Sequence, residues 1–164
     1  MPSVEEGTIT PGALLPEMQL VSAATGVPVD LHSVRGPRAL VAIHSVGCAA
    51  CRDYVRERLA RAAREVAEWG GRLCVIVPGR RGDASDFAET TTDALEVLVD
   101  ASGAFAHRRA AVVVTDQWGE VHSAVDAADG HELPDPQQLV VSIRFLATQC
   151  SECEVPEGEW RSIR

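Results

Sequence analysis

"ALVAIHSVGCAACRDYVRERLARAAREVAEWG", residues 39–70, is the stretch on which the fold turns. Ala39 to Ser45 is an apolar run of buried-strand length. A Gly-Cys-Ala-Ala-Cys turn follows, and then a long periodic segment. From Ala49 to Trp69, the residues Cys51, Val55, Leu59, Ala62, Val66 and Trp69 recur at helical spacing and form one apolar stripe. Arg52, Asp53, Arg56, Glu57, Arg61, Arg64, Glu65 and Glu68 fill the other faces, which predicts an amphipathic helix. Gly70-Gly71 stops it.

Working outward, "MQLVSAATGVPVDL" predicts two short strands turning at Ala24-Thr25-Gly26, and "RLCVIV" a buried strand ending at Pro78-Gly79. "DASDFAETT" reads as a short helix capped by Asp83 or Ser85, "ALEVLVD" as a strand, and "SGAFAHRRA" as a short helix capped by Ser102. "AVVVTDQWGEVHSAV" is a hairpin turning at Gln117-Trp118-Gly119. The last helix starts at Asp135 as N-cap with Pro136 at N1, and Leu139, Val140, Ile143, Leu146, Ala147 and Cys150 line its inner face. The order β-β-β-α-β-α-β-α-β-β-α implies an α/β sandwich around a mixed sheet. Residues 1–13 read as a loose leader, 14–149 as one domain, and 150–164 as a tail carrying a second CxxC.

Composition narrows the function. The chain has 164 residues, 46% of them apolar and 24% charged, as in an ordinary soluble globule. Its net charge of −9 argues against nucleic acid and anionic membranes as partners, because phosphate binding needs a basic face. No apolar run approaches the ~20 residues of a membrane helix. The N-terminus has two early Glu and no basic residue, so the chain reads as cytoplasmic.

Five cysteines in a chain of this kind point to metal or redox chemistry rather than a disulfide scaffold. Four form two CxxC pairs, Cys48/Cys51 and Cys150/Cys153. Cys48 falls at the helix start, where free backbone N–H groups favour a thiolate, and Cys51 falls on the inward stripe. Gly47 is expected to permit the tight turn between strand and helix. Lowering a thiol from about 8.5 to about 7 raises its ionised fraction at neutral pH from a few per cent to half, as attack on a disulfide or peroxide requires. The competing readings are a metal site (zinc or iron–sulfur) built from CxxC pairs, a redox-sensing module without turnover, and two small buried residues. Cys150/Cys153 read as an accessory redox pair, with half a zinc site or a structural disulfide as alternatives. Cys74, mid-strand, reads as inert filler. Ser45 is a candidate for steadying the thiolate or binding a peroxide. Arg109, Arg80 and Arg81 read as solvated surface charge, with positive potential over the site as the alternative, and His44 reads as a buried core histidine, with a proton acceptor as the alternative.

The strand–GCxxC–helix unit, the approach "GALLPEMQLVSAATGVPVDL" and the closing "VVVTDQWGEV" together resemble the thioredoxin fold, within it the redoxin branch. "VGCAACRDYVRERL" followed by "WGGRLCVIVPG" is similar to peroxiredoxin-like proteins, related to alkyl hydroperoxide reductase and thiol-specific antioxidant proteins, of a subgroup with a GCxxCR motif. The resemblance implies a thioredoxin-like sandwich with an N-terminal β-hairpin extension and an antioxidant oxidoreductase. It implies Cys48 as attacking thiol and Cys51 as its resolving partner, with no cofactor. Ser45 stands where peroxiredoxins carry a Thr or Ser three places before the cysteine, whereas Val41 replaces their Pro. Arg109 lies one place before Ala110, where they carry an Arg. The partners implied are a disulfide or hydroperoxide substrate and a thiol reductant, protein or small molecule. A homodimer is compatible with this scheme.

Overall fold

The computed structural model describes residues 9–33, 36–107, 110–126 and 133–149. Strands β1 (Leu20–Ser22), β2 (Pro28–Val29), β3 (Arg38–Ala42), β4 (Arg72–Pro78), β5 (Leu95–Asp100), β6 (Ala110–Thr115) and β7 (Val121–Asp126) form one sheet in the order β2-β1-β5-β4-β3-β6-β7. β3, β4 and β5 are parallel. β6 lies antiparallel against β3, β7 against β6, and β1 against β5. The sheet is therefore mixed as expected, and the β1–β2 hairpin extends its far edge.

Parallel strands covered on both faces need apolar residues at nearly every position. β4 shows this: Leu73, Val75 and Val77 enter one core, Cys74 and Ile76 the other. The first core is roofed by α1 (Ala49–Asp53), a π-helical segment (Tyr54–Leu59), α2 (Ala60–Glu68), α3 (Arg81–Glu89) and α5 (Pro136–Ala147). The second is closed by Phe105 of α4 (Ala104–His107) together with Ile9, Leu15, Leu20 and Leu31. Ile9 is buried, and Gly12 and Ala13 hydrogen-bond to Val121, so the inner end of the expected leader is docked on β7.

The long helix runs unbroken from Ala49 to Glu68, but it is not α throughout. The Ala60 N–H bonds the Val55 carbonyl, closing a wide i→i+5 turn. The spacing carries the reason. Cys51, Val55 and Leu59 are two successive four-residue steps, which drift by about 80° around a 3.6-residue helix. Widening the turn brings all three back to the core, where each is fully buried. Trp69 leaves the expected stripe. It is 39% exposed beyond the helix end, with the Arg144 guanidinium 4.8 Å from its ring centroid. Gly71 lets α2 close on α5: a Cβ there would sit 2.4 Å from Ile143 Cγ2.

Two caps differ from expectation. α3 begins at Arg81 with Arg80 as N-cap, so Asp83 lies inside its first turn rather than capping it. α4 is held chiefly by buried Asp100, whose carboxylate accepts from Ala104 N–H at 3.0 Å and Phe105 N–H at 2.7 Å. Ser102 Oγ adds a longer contact to Ala104 N–H at 3.3 Å. Asp135 caps α5 as expected, accepting from Gln137 N–H.

Candidate active site

The strand-to-helix turn forms at the C-terminal edge of the parallel strands, where α/β proteins gather their sites. β3 ends at Ala42, and the chain is steered by Ile43 N–H on the Ile76 carbonyl. Ser45 then organises the turn: its Oγ accepts from Gly47 N–H at 3.0 Å and its carbonyl accepts from Cys48 N–H at 3.2 Å. The Ser45 oxygen is thus engaged with the turn, and its O–H stays able to donate. Gly47 is absent from the positions with positive φ, and a Cβ there would rest 3.5 Å from Ser45 Oγ. The turn is made by the serine, not by glycine's conformational freedom.

Cys48 is the N-cap of α1 in extended conformation, half-exposed, with no side-chain cap of its own. Its position leaves its sulfur facing unpaired N–H groups. The Cys51 N–H is the largest influence holding the Cys48 thiol below its ordinary value, followed by the Cys51 thiol, with Ala50 N–H and Arg52 adding to it. Cys51 is fully buried, and burial pushes its thiol up, reinforced by its hydrogen bond with Cys48. Backbone groups of His44 and Ser45 partly oppose that rise. One accessible, acidified sulfur therefore sits against one shielded, protonated sulfur. Both are free thiols.

His44 is exposed, which corrects the buried reading. Arg80 and Arg81 are exposed at the head of α3, and Arg81 donates to the Ala24 carbonyl at 3.4 Å, which draws it toward the β1–β2 turn. Cys74 is buried on the opposite sheet face, with its Sγ 3.8 Å from Glu96 Oε2 on β5. Burial, then the Glu96 charge, push its thiol up to about 12, so it is an inert thiol. Trp118 shapes the β6–β7 turn by donating its N–H to Asp116. Arg109, Cys150 and Cys153 lie outside the described residues. Among the described residues no group of three or more His, Cys, Asp or Glu could hold a metal ion. No helix among them is long and apolar enough to cross a membrane.

Two features escaped the sequence reading. Arg38 is 5% exposed at the start of β3 and donates to the Leu31 carbonyl, its pKa lowered by burial. Tyr54, three residues after Cys51, is 5% exposed, and its hydroxyl donates to the Pro134 carbonyl at 2.9 Å. The two four-residue steps of the apolar stripe were the available signal for the π turn that opens at Tyr54. Nothing in the sequence marks its partner, eighty positions away.

No family model and no curated protein matches the sequence. Solved structures do match the fold. Peroxidoxin BcpB from Mycobacterium tuberculosis is 18% identical, with 87% of this chain and 99% of that one aligned at a TM-score of 0.71. A peroxiredoxin-like protein from Aquifex aeolicus is 14% identical over 85% of this chain and 89% of its own, TM-score 0.70. A thiol peroxidase from Chromobacterium violaceum is 17% identical over 85% and 88%, TM-score 0.64. The architecture is thus the thioredoxin-like one of these proteins.

Proposed function

We propose that the protein is a dithiol oxidoreductase of the redoxin type, with Cys48 as nucleophile and Cys51 as resolving thiol. One observation carries this reading: Cys48 stands half-exposed at the helix N-cap with Cys51 fully buried three residues on, an arrangement that lowers the first thiol and raises the second. With a disulfide as oxidant, the Cys48 thiolate attacks one sulfur and expels the other as a thiolate, leaving a mixed disulfide. Cys51, on losing its proton, attacks Cys48 Sγ, forms the Cys48–Cys51 disulfide and releases the second substrate thiol. Two electrons pass to the substrate. With a hydroperoxide, Cys48 takes the terminal oxygen, alcohol or water leaves, and Cys51 condenses with the sulfenic acid to release water. An external thiol returns the disulfide to the dithiol.

The neighbour named a thiol peroxidase, with the peroxidoxin and the peroxiredoxin-like protein, supports the peroxide branch. The disulfide branch draws on the local geometry, a half-exposed Cys48 three positions before a buried Cys51. Cys150 and Cys153 are assigned, within this proposal, as an accessory pair exchanging electrons with the site. The deciding experiment is trapping in the Cys51→Ser variant. A mixed disulfide on Cys48 after exposure to an oxidised thiol, or a dimedone adduct on Cys48 after peroxide, supports the reading and separates its two branches. A Cys48 that forms neither, while the variant stays folded, refutes it.

A further inference from the structure

Tyr54 is the only tyrosine in the chain. It stands one helical step beyond Cys51 on the same face and opens the π segment. Its ring is buried, and a phenylalanine would satisfy that burial equally. The hydroxyl therefore calls for a separate account, since a buried O–H costs stability unless it is bonded. It is bonded, at 2.9 Å, to the carbonyl of Pro134, the residue before the N-cap of α5. Arg58, four residues further along, lies 5.8 Å over the Tyr54 ring and 3.6 Å from Asp135. Both ends of that ion pair are more than half exposed, so it contributes little, and the buried phenol is the anchor. One face of the π segment is thus clasped to the entrance of α5.

The clasp matters because of what lies just before it. The Cys51 N–H and Sγ that support the Cys48 thiolate ride on α1, which is only five residues long. α1 passes directly into a π turn, a local irregularity in the helix. Resting on the reading of Cys48 as nucleophile, we propose that Tyr54 is a positioning residue for the dithiol. By tying the π segment to the Pro134 carbonyl, it fixes the angle of α1 and so aims the Cys51 N–H and Sγ at Cys48. Burial holds the phenol far above the range in which thiols titrate, with the Asp135 charge acting the same way and Arg58 against it. The hydroxyl therefore remains a donor wherever Cys48 changes state.

The test is peptide-resolved alkylation of the reduced full chain by iodoacetamide from pH 5 to 10. Wild type, Tyr54→Phe and Leu98→Val are compared; the last loosens the core on the far side of the sheet. The expected result is a wild-type Cys48 midpoint below that of an ordinary thiol. Tyr54→Phe should move it up by about 0.3 pH unit or more, halving the thiolate fraction wherever the protonated form dominates. Leu98→Val should leave it in place. A Tyr54→Phe profile that superimposes on wild type overturns the positioning role and leaves the dithiol reading standing. An equal shift in Leu98→Val overturns it as well, because the effect would then be general loosening. A wild-type midpoint at the ordinary thiol value sinks both readings together. Should Tyr54→Phe not fold, Tyr54→Met, which keeps an apolar side chain in the same place and likewise lacks the donor, takes its place, and an unmoved profile there overturns the role.

Discussion

Cys48 follows strand β3 and Cys74 lies within the adjacent parallel strand β4, yet their thiols are driven in opposite directions. Cys74 sits in mid-β4, where every backbone group is paired and an acidic side chain on β5 faces it. Burial and the Glu96 charge outweigh the opposing charges of Arg38 and Arg72, so the proton stays on. Cys48 lies just past the end of β3, where the chain has left the sheet and the first N–H groups of a helix have no partner of their own. There the same functional group meets donors. Cys51 combines the two conditions, buried like Cys74 but bonded to Cys48. Position in mid-strand or at a helix start thus sets whether a thiol is raised or lowered.

Breaking this contrast should give its largest effect in activity. Cys48→Ser is expected to reduce turnover of a disulfide or peroxide substrate to the uncatalysed rate. Cys74→Ala should leave turnover unchanged and cost about 1–2 kcal/mol in a urea titration, the transfer and cavity cost of a small buried group. Turnover lost equally in both variants would erase the distinction.

The pH response should sharpen it. Cys48 alkylation should rise at lower pH than that of an ordinary thiol, with Cys51 following later. Cys74 acts on stability instead. Its folded value of about 12 exceeds the unfolded one, so the unfolded chain releases this proton first. Between about pH 9 and 12 the unfolded state binds fewer protons, and stability should fall as pH rises. Cys74→Ala should remove that part of the alkaline slope. A slope unaltered in the variant would contradict the assignment.

Smaller effects distinguish the two glycines that flank the helix. Gly71→Ala should destabilise by about 1–3 kcal/mol, since its Cβ collides with Ile143. Gly47→Ala should change stability by less than about 0.5 kcal/mol and leave Cys48 alkylation intact, because nothing in the turn demands a glycine. A strongly destabilised Gly47→Ala would restore glycine as the maker of the turn.

The element order and the placement of Cys48 and Cys51 were legible because they rest on local signals: runs of period two, an apolar stripe and a helix start. The β1–β2 hairpin and the Asp135-Pro136 start were legible for the same reason. What could not be read depends on contacts distant in sequence or on choices between near-equivalent groups. Asp100 outcompetes Ser102 as cap because a carboxylate at the end of β5 reaches two N–H groups at once. Arg38 is buried because the Leu31 carbonyl lies across from it, and Tyr54 is anchored by a carbonyl from the far end of the chain. His44 looked like a core residue because the strand was read to Ser45, whereas β3 stops at Ala42 and the residue turns out to solvent.

The central claim is that Cys48 and Cys51 form a reversible redox couple. Its most direct test is a glutathione redox titration of the metal-free chain, each cysteine followed separately by peptide-resolved alkylation. The account predicts that Cys48 and Cys51 convert together and reversibly, at a potential within roughly −120 to −270 mV, the span of catalytic dithiols, while Cys74 stays reduced throughout. Failure of Cys48 and Cys51 to join, or joining only far outside that span, would contradict it.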